Sequence, residues 1–398
     1  MNYGVVPIAP EQIRRILRDS SYVQVSNNGI IAVGMTLVIL TGGIDLSVGS
    51  MMAFGSVMCA MLLTQRGLTN ASISGIPMLA IVCYVLCAYF VPLVAVNLRR
   101  ESTVRGEKGS AISRKLGIVL GLILAAAAFW WTTSQLQSKF GVPGVLITVP
   151  AAGLVLGALN GLMIAKGRMQ PFIVTLAMMV AILGFARLMG REAVYPVYTG
   201  TNATEKFDVL RALVFNIVPV PGIFFLVAVL IFGLVLRFST FGRYIYAIGG
   251  NEQAARLAGI RVDQVKVAVY SIAGMLAALA GVLYTAQYRQ GKPDAGQGAE
   301  LDAIAAVVIG GTNLMGGRGS MTGTLVGVLI FGFLGNILLL KNIDSNTQLA
   351  LKGAIILVAV LLQEGQIGLW WKRLQARFAP AKAAAKPSKP VRPIEHVR

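Results

Sequence analysis

LDAIAAVVIGGTNLMGGRGSMTGTLVGVLIFGFLGNILLL, residues 301–340, is the stretch whose reading decides the fold. Its second half, 320–340, is apolar over a length that crosses a bilayer, which takes about 20 residues. The run 301–311 is apolar too, but it is too short to cross alone as a straight helix. Between them Gly310, Gly311, Gly316, Gly317 and Gly319 break the chain. Unwound backbone at membrane depth is tolerated only inside protein or along a cavity. The stretch therefore predicts a broken or half helix near 301–313, of the kind that lines transport sites in membrane bundles.

Further candidate spans lie near 23–42, 48–64, 77–97, 115–133, 143–165, 171–189, 222–236, 264–285 and 347–363. The expected fold is an all-α polytopic membrane protein of about ten transmembrane helices. Composition agrees: 56% of the 398 residues are hydrophobic and 13% are charged, and the mean hydropathy is +0.73. Soluble domains carry roughly 25% charged residues, so a soluble enzyme is excluded. Cys59, Cys83 and Cys87 sit in apolar runs and read as small buried hydrophobes, not as a disulfide framework. The only histidine is His396, which excludes a His-rich metal site and a His-based triad. No cofactor is expected. No G-x-x-x-x-G-K-[ST] phosphate loop occurs, so ATP used in transport must be hydrolysed on another polypeptide.

The net charge of +19 comes from 35 basic and 16 acidic residues. The basic residues cluster between apolar runs and in the tail, which points to membrane topology and anionic lipid and not to nucleic acid. Segment 98–115 holds six basic and two acidic residues, 237–266 five and two, and 364–398 eight and two. By the positive-inside rule these are cytoplasmic, and the charge-balanced loop 190–221 is external. The tail reaches the cytoplasmic side only if the short 301–311 region counts as a crossing. Residues 1–22 read as an amphipathic segment with Ile13, Ile16 and Leu17 on one helical face. The Ala/Pro/Lys-rich tail 364–398 has little to bury and reads as a disordered basic segment against lipid. Gly153, Gly157 and Gly161 share one helix face, and Gly323 and Gly327 repeat the spacing, followed by Gly332 and Gly335. Such spacing lets helix backbones approach closely.

Several motifs go beyond packing. GGIDLSVGS, residues 42–50, joins two apolar runs and carries Asp45. A carboxylate at membrane depth costs at least ~2.5–3.5 kcal/mol and is usually paired or lines a polar path. Asp45 and Ser47 are thus either a helix cap in a tight turn or part of a substrate pathway. In PFIVTLAM, 171–178, Pro171 starts a helix, and Phe172 and Thr175 either pack or face the pathway. Glu300 and Asp302 favour the N-terminal end of the short helix. Asp302 and Asn313 complete the pathway candidates. In GRYIYAIGGNEQAARLAGIRVD, 242–263, Asn251 is a good N-cap, Glu252 suits a first turn and Gly259 suits the position after the helix. A two-turn helix at 252–258 follows, in a basic cytoplasmic loop, either as a connector or as a docking element for a cytoplasmic partner.

These motifs, with the run from Glu300 to Thr324 and LKGAIILVAVLL at 351–362, resemble the permease subunit of bacterial ABC importers for monosaccharides, of the ribose, xylose and galactose type. The resemblance covers roughly 12–65 and 143–363. It implies a transmembrane permease domain over 23–363, working as a pair of permease subunits in the inner membrane. It further implies a periplasmic sugar-binding protein and a cytoplasmic ATPase with two nucleotide-binding domains. The expected mechanism is alternating access with no covalent chemistry. The loop 237–266 would carry the coupling helix, with Asn251, Glu252, Ala255 and Arg256 at the ATPase contact. Two departures stand out. The family begins with a membrane helix ahead of the part matching 12–22, so a truncated or rearranged start is expected. Residues 98–142 read as an insertion. An ion-coupled secondary carrier, and the same importer class for an amino acid or other small polar solute, are the alternatives. A membrane enzyme lacks the clustered His, Asp or Cys it would need.

Overall fold

A computed structural model describes residues 20–64, 119, 121–127, 130, 141–190, 195–196, 207–214, 218–341 and 343–363. The expected span near 77–97, most of that near 115–133, nearly all of the segment 1–22 and the tail 364–398 lie outside them. The described helices are α1 (Ser20–Leu40), α2 (Val48–Thr64), α3 (Val142–Ala165), α4 (Pro171–Gly190), α5 (Val220–Phe238), α6 (Thr240–Gly250), α7 (Glu252–Leu257), α8 (Val262–Tyr288), α9 (Ala299–Ile309), α10 (Met321–Leu340) and α11 (Ser345–Gln363). Five of these, α3, α4, α5, α8 and α10, are long and apolar enough to cross a membrane. Shorter apolar helices occupy Gln24–Leu40, Val48–Thr64 and Asn346–Ala359. The expected count of about ten is thus met only by the coarser statement: a mostly helical bundle with five clear spans.

The bundle is organised around α8, whose 27 residues reach about 40 Å. Two-thirds of its apolar window, 67%, is buried, against 28% for α4, α5 and α10. The sequence makes α8 central by using small residues where neighbours cross it. A Cβ on Gly153 would run into Gly274 and Ala278, one on Gly157 into Tyr270 and Ser271, and one on Gly161 into Val267. The glycine face expected on α3 is therefore the α3–α8 contact. On other sides of α8, Gly34 of α1 abuts Ala273, and Gly55 of α2 abuts Ala278. In lipid, where apolar surface gains little by leaving the tails, such close backbone approach is what holds helices together. Hydroxyl pairs add to it: Ser56 meets Thr285 at 2.9 Å and Thr36 meets Thr324 at 2.6 Å, both buried.

The broken helix is present. α9 has 11 residues, about 16 Å, or roughly half of a 30 Å hydrocarbon core. Ahead of it the chain is non-helical and lies against α2: the Lys292 N–H donates to Ser56 Oγ at 3.2 Å, and Gly296 abuts Gly49 and Met52. The unwound backbone is thus covered by protein, as membrane depth requires. After α9, Gly316 and Gly317 lie against Gly249 and Gly250 at the end of α6, next to α7. α8 starts beside α7 and α9 returns the chain to that end, so the half helix and its unwound approach together act as a crossing. Gly310 against Gly323, and Ala306 against Gly327, then bring α10 alongside α9.

Two features differ from the expectation. Residues 240–250 form α6 where the sequence predicts a loop; Ile245 and Ile248 bury its inner face. The all-α reading also omits two short strand pairs. Strand β1 (Tyr195–Pro196) pairs antiparallel with β4 (Gln290–Gly291), and β2 (Leu213–Val214) with β3 (Val218–Pro219). The 3-10 turn Asp208–Arg211 is tied to the end of α8 by the Arg289–Asp208 ion pair.

Candidate functional site: a buried polar turn, an ion-pair cluster and a capped helix

The turn between α1 and α2 brings several candidate residues together. α1 ends at Leu40, and Gly42, at φ +77°, reverses the chain. Asp45 is fully buried. Its Oδ1 accepts both the backbone N–H of Ser47, at 2.9 Å, and the Ser47 hydroxyl, at 2.6 Å. The Ser47 carbonyl then accepts from Met51 N–H at 2.9 Å and from the Ser50 hydroxyl at 2.7 Å, which starts α2. This is the cap-like turn that short polar side chains form with their own backbone.

The turn is also knitted to its neighbours. Asn160 of α3 donates to Ser47 Oγ at 2.8 Å. The Thr175 hydroxyl of α4 reaches the Ile44 carbonyl at 3.3 Å, and a Cβ on Gly43 would meet the Tyr270 hydroxyl of α8. Asp45 Oδ2, Asn160 Oδ1 and the Tyr270 hydroxyl have no hydrogen-bond partner among the described residues. Asn160 and Tyr270 were missed by sequence reasoning, though an Asn inside an apolar run was the available signal. Phe172 lies on an outward part of α4 and is half exposed.

Asp302 belongs to a different cluster. It is one turn into α9 and accepts from Lys352 of α11 at 2.9 and 3.0 Å and from Asn28 of α1 at 3.1 Å. The Lys352 ammonium also stands 5.6 Å from the Phe331 ring centroid. Asn313 joins neither cluster. Its Oδ1 accepts from Met315 N–H at 3.0 Å and its carbonyl from Gly316 N–H at 3.0 Å, so it holds the glycine turn near α7.

The short helix α7 forms as expected. Asn251 Oδ1 accepts from Ala254 N–H at 3.0 Å, and Gly259 takes φ +82°. Ala255 is buried, while Leu257 is 91% exposed. Glu252 pairs with Lys266 on α8 at 2.7 Å and with Arg256 at 3.0 Å, and Arg256 pairs with Asp263 at 2.6 Å. Partial burial raises the Glu252 carboxyl, but Lys266 and then Arg256 outweigh it and hold it below the usual carboxylate range. The hydrogen bonds to Asp263 and Glu252 raise the Arg256 guanidinium further. α7 is thus locked to the root of α8. The preceding α6 is joined to the glycine turn, with Tyr246 donating to the Gly319 carbonyl at 2.9 Å.

A bundle of this kind, with a covered half helix, buried polar turns and a locked surface helix, is that of a multi-pass transport protein. Residues 18–104 and 114–360 match the family of permease components of the branched-chain amino acid transport system, and the chain belongs to that family. It is 39% identical to the ribose import permease of Bacillus subtilis over 355 residues, 89% of this chain and 85% of that one. It is 39% identical to the ribose import permease of Escherichia coli over 347 residues, covering 85% and 83%. To the xylose transport system permease of Escherichia coli it is 31% identical over 367 residues, covering 85% and 82%. No solved structure matches the chain.

Proposed function

We propose that this chain is the membrane-spanning permease subunit of an ATP-driven importer of a monosaccharide, a pentose or hexose, in the bacterial inner membrane. The observation that carries this reading is the 39% identity to ribose import permeases over most of both chains. The chain performs no covalent step. A periplasmic sugar-binding protein delivers the cargo, a second permease subunit completes the pathway, and an ATPase with two nucleotide-binding domains supplies the energy. The permease domain covers 23–363, with 98–142 as an added segment.

The charge excess in 237–266 puts α7 on the cytoplasmic side. There α7 is the coupling element: Asn251 caps it, Glu252 and Arg256 fix it to α8, Ala255 seats it, and exposed Leu257 offers an apolar contact. The Asp45–Ser47 turn, with Thr175 bound to it, and the Asp302 cluster supply polar groups along the pathway, while Phe172 contributes an apolar face on the outward side of α4. Asn313 holds the turn that connects α9 to the coupling end.

The test is reconstitution with the ATPase and binding protein, reading ATP-dependent uptake of labelled D-ribose, D-xylose and D-galactose. Uptake of none of them, with a working ATPase, would overturn the reading. An amino acid is the alternative cargo, which the ribose and xylose permease relatives do not favour; labelled L-leucine in the same vesicles separates the two.

A further inference from the structure

Two adjoining cavities, of about 130 and 80 Å³, open between α1, α8, α9, α10 and α11 and share Gln24, Asn28 and Asp302. They lie in the half of the bundle away from α7, where the first turns of α1, the last turns of α8 and the start of α9 meet.

The lining is unusual for a membrane bundle. Carboxamides make up most of its described polar lining: Gln24 and Asn28 from α1, Asn336 from α10 and Gln348 from α11. Among the described residues, the only charges on the wall of the larger cavity, Asp302 and Lys352, compensate each other at 2.9–3.0 Å. One carbonyl is left waiting. Asn27 is 1% exposed, lines the smaller cavity, and its Oδ1 has no hydrogen-bond partner among the described residues. Tyr284 and Tyr288, with ring centroids 4.5 Å apart, form an aromatic wall of that cavity, and Phe331 forms one in the larger.

We propose that this carboxamide-lined double cavity is the receiving site for a neutral polyhydroxylated solute entering from the outer side. The chemistry carries the class of ligand. A carboxamide both donates and accepts, as a sugar hydroxyl does, so the two satisfy each other without a net charge. An ion or zwitterion would need an unpaired charge, and among its described residues the wall offers none beyond a pair already closed. The aromatic faces suit the apolar faces of a sugar ring, and a few placed polar groups beside apolar surface are what small-molecule sites present. A buried acceptor without a partner is costly, and a ligand hydroxyl removes that cost. Polar residues at membrane depth are themselves expensive and mark solute paths. Asn27, Asn28 and Lys352 become binding residues that the sequence reading did not select, and Asp302 keeps the role expected for it, now in this cavity.

This inference rests on the sugar-importer reading, and the experiment separates the two. The complete importer is reconstituted in vesicles as wild type, Asn27→Ala, Asn28→Ala and Asp302→Asn. Uptake of labelled D-ribose and D-xylose is read together with ATP hydrolysis stimulated by loaded binding protein. The expected result is at least a tenfold loss of sugar moved per ATP, with hydrolysis retained, and at least a fivefold change in the ribose-to-xylose ratio for Asn27→Ala or Asn28→Ala. In a second measurement, Gln348→Cys in the complete importer is labelled with a polar maleimide, against the wild-type background. D-ribose should slow labelling at least threefold and L-leucine should not.

Variants that lose both sugars equally together with thermal stability would make the cavity structural and overturn the inference. So would sugar rates and ratios within twofold of wild type, which leave the importer reading intact. Protection by L-leucine in place of D-ribose would overturn the ligand class. If the wild-type importer moves no sugar, the function itself fails and this inference falls with it.

Discussion

Lys266, in the first turns of α8, holds Glu252, the first residue of α7, at 2.7 Å, an ion pair that ties the surface helix to the central helix of the bundle. That central helix is the one against which α1, α2 and α3 all pack.

Reversing either charge of this lock should separate ATP hydrolysis from transport. Glu252→Lys sets like charges against Lys266 and Arg256, and Arg256→Glu does so against Glu252 and Asp263. Uptake should fall at least tenfold in each, while the purified bundle elutes as wild type by size exclusion. ATP-driven uptake at the normal rate in both variants would sink the docking role of α7.

The same lock carries a pH dependence. The folded Glu252 carboxyl lies below its unfolded value of about 4.3. Its contribution is therefore complete above that value and is lost as pH falls through the depressed folded value. Protection of the α7 amides from hydrogen exchange, corrected for intrinsic rates, should be flat from pH 7 to 5 and drop below about pH 4. Glu252→Gln should remove the drop. The side chain is 38% exposed, so solvent screening keeps the effect below about 1 kcal/mol.

Packing around α8 tests the glycine contacts. Gly157→Leu forces a side chain into the backbone at Tyr270 and Ser271. Overpacking of this sort costs about 1–3 kcal/mol or more, and thermal unfolding in detergent should occur at markedly lower temperature. Gly184→Ala, on α4, meets nothing within 4 Å and should be neutral or slightly stabilising, because Ala is the better helix former.

Asp45 separates a turn role from a pathway role. Asp45→Ala leaves the buried Ser47 N–H without its acceptor, a loss of about 1–3 kcal/mol. Asp45→Asn keeps an acceptor oxygen in place and removes the charge. If the charge serves transport, uptake by Asp45→Asn falls at least fivefold at unchanged melting temperature. If the turn alone matters, uptake by Asp45→Asn stays within twofold of wild type and only Asp45→Ala suffers.

Much of the bundle was legible in the chain. The apolar runs at 48–64 and 171–189 are α2 and α4 to within one residue, and the Asn251 cap and Gly259 stop placed α7. The helix α6 was not legible, because TFGRYIYAIGG combines glycines and aromatic residues of weak helix propensity; burial of Ile245 and Ile248 overrides that preference. The strand pairs, two residues each, are too short to show any periodicity.

Where a helix starts, where it stops and whether it is long enough to cross lipid depend mostly on residues a few positions apart, and apart from α6 the sequence by itself determined these, including the half helix at α9. Which polar groups share a site depends on contacts between distant parts of the chain. Asn28 meets Asp302 across 274 positions, and Asn160 meets Ser47 across 113. No local pattern encodes such a meeting. It follows from which helices the small residues allow to lie backbone to backbone, and only the tertiary structure decided that.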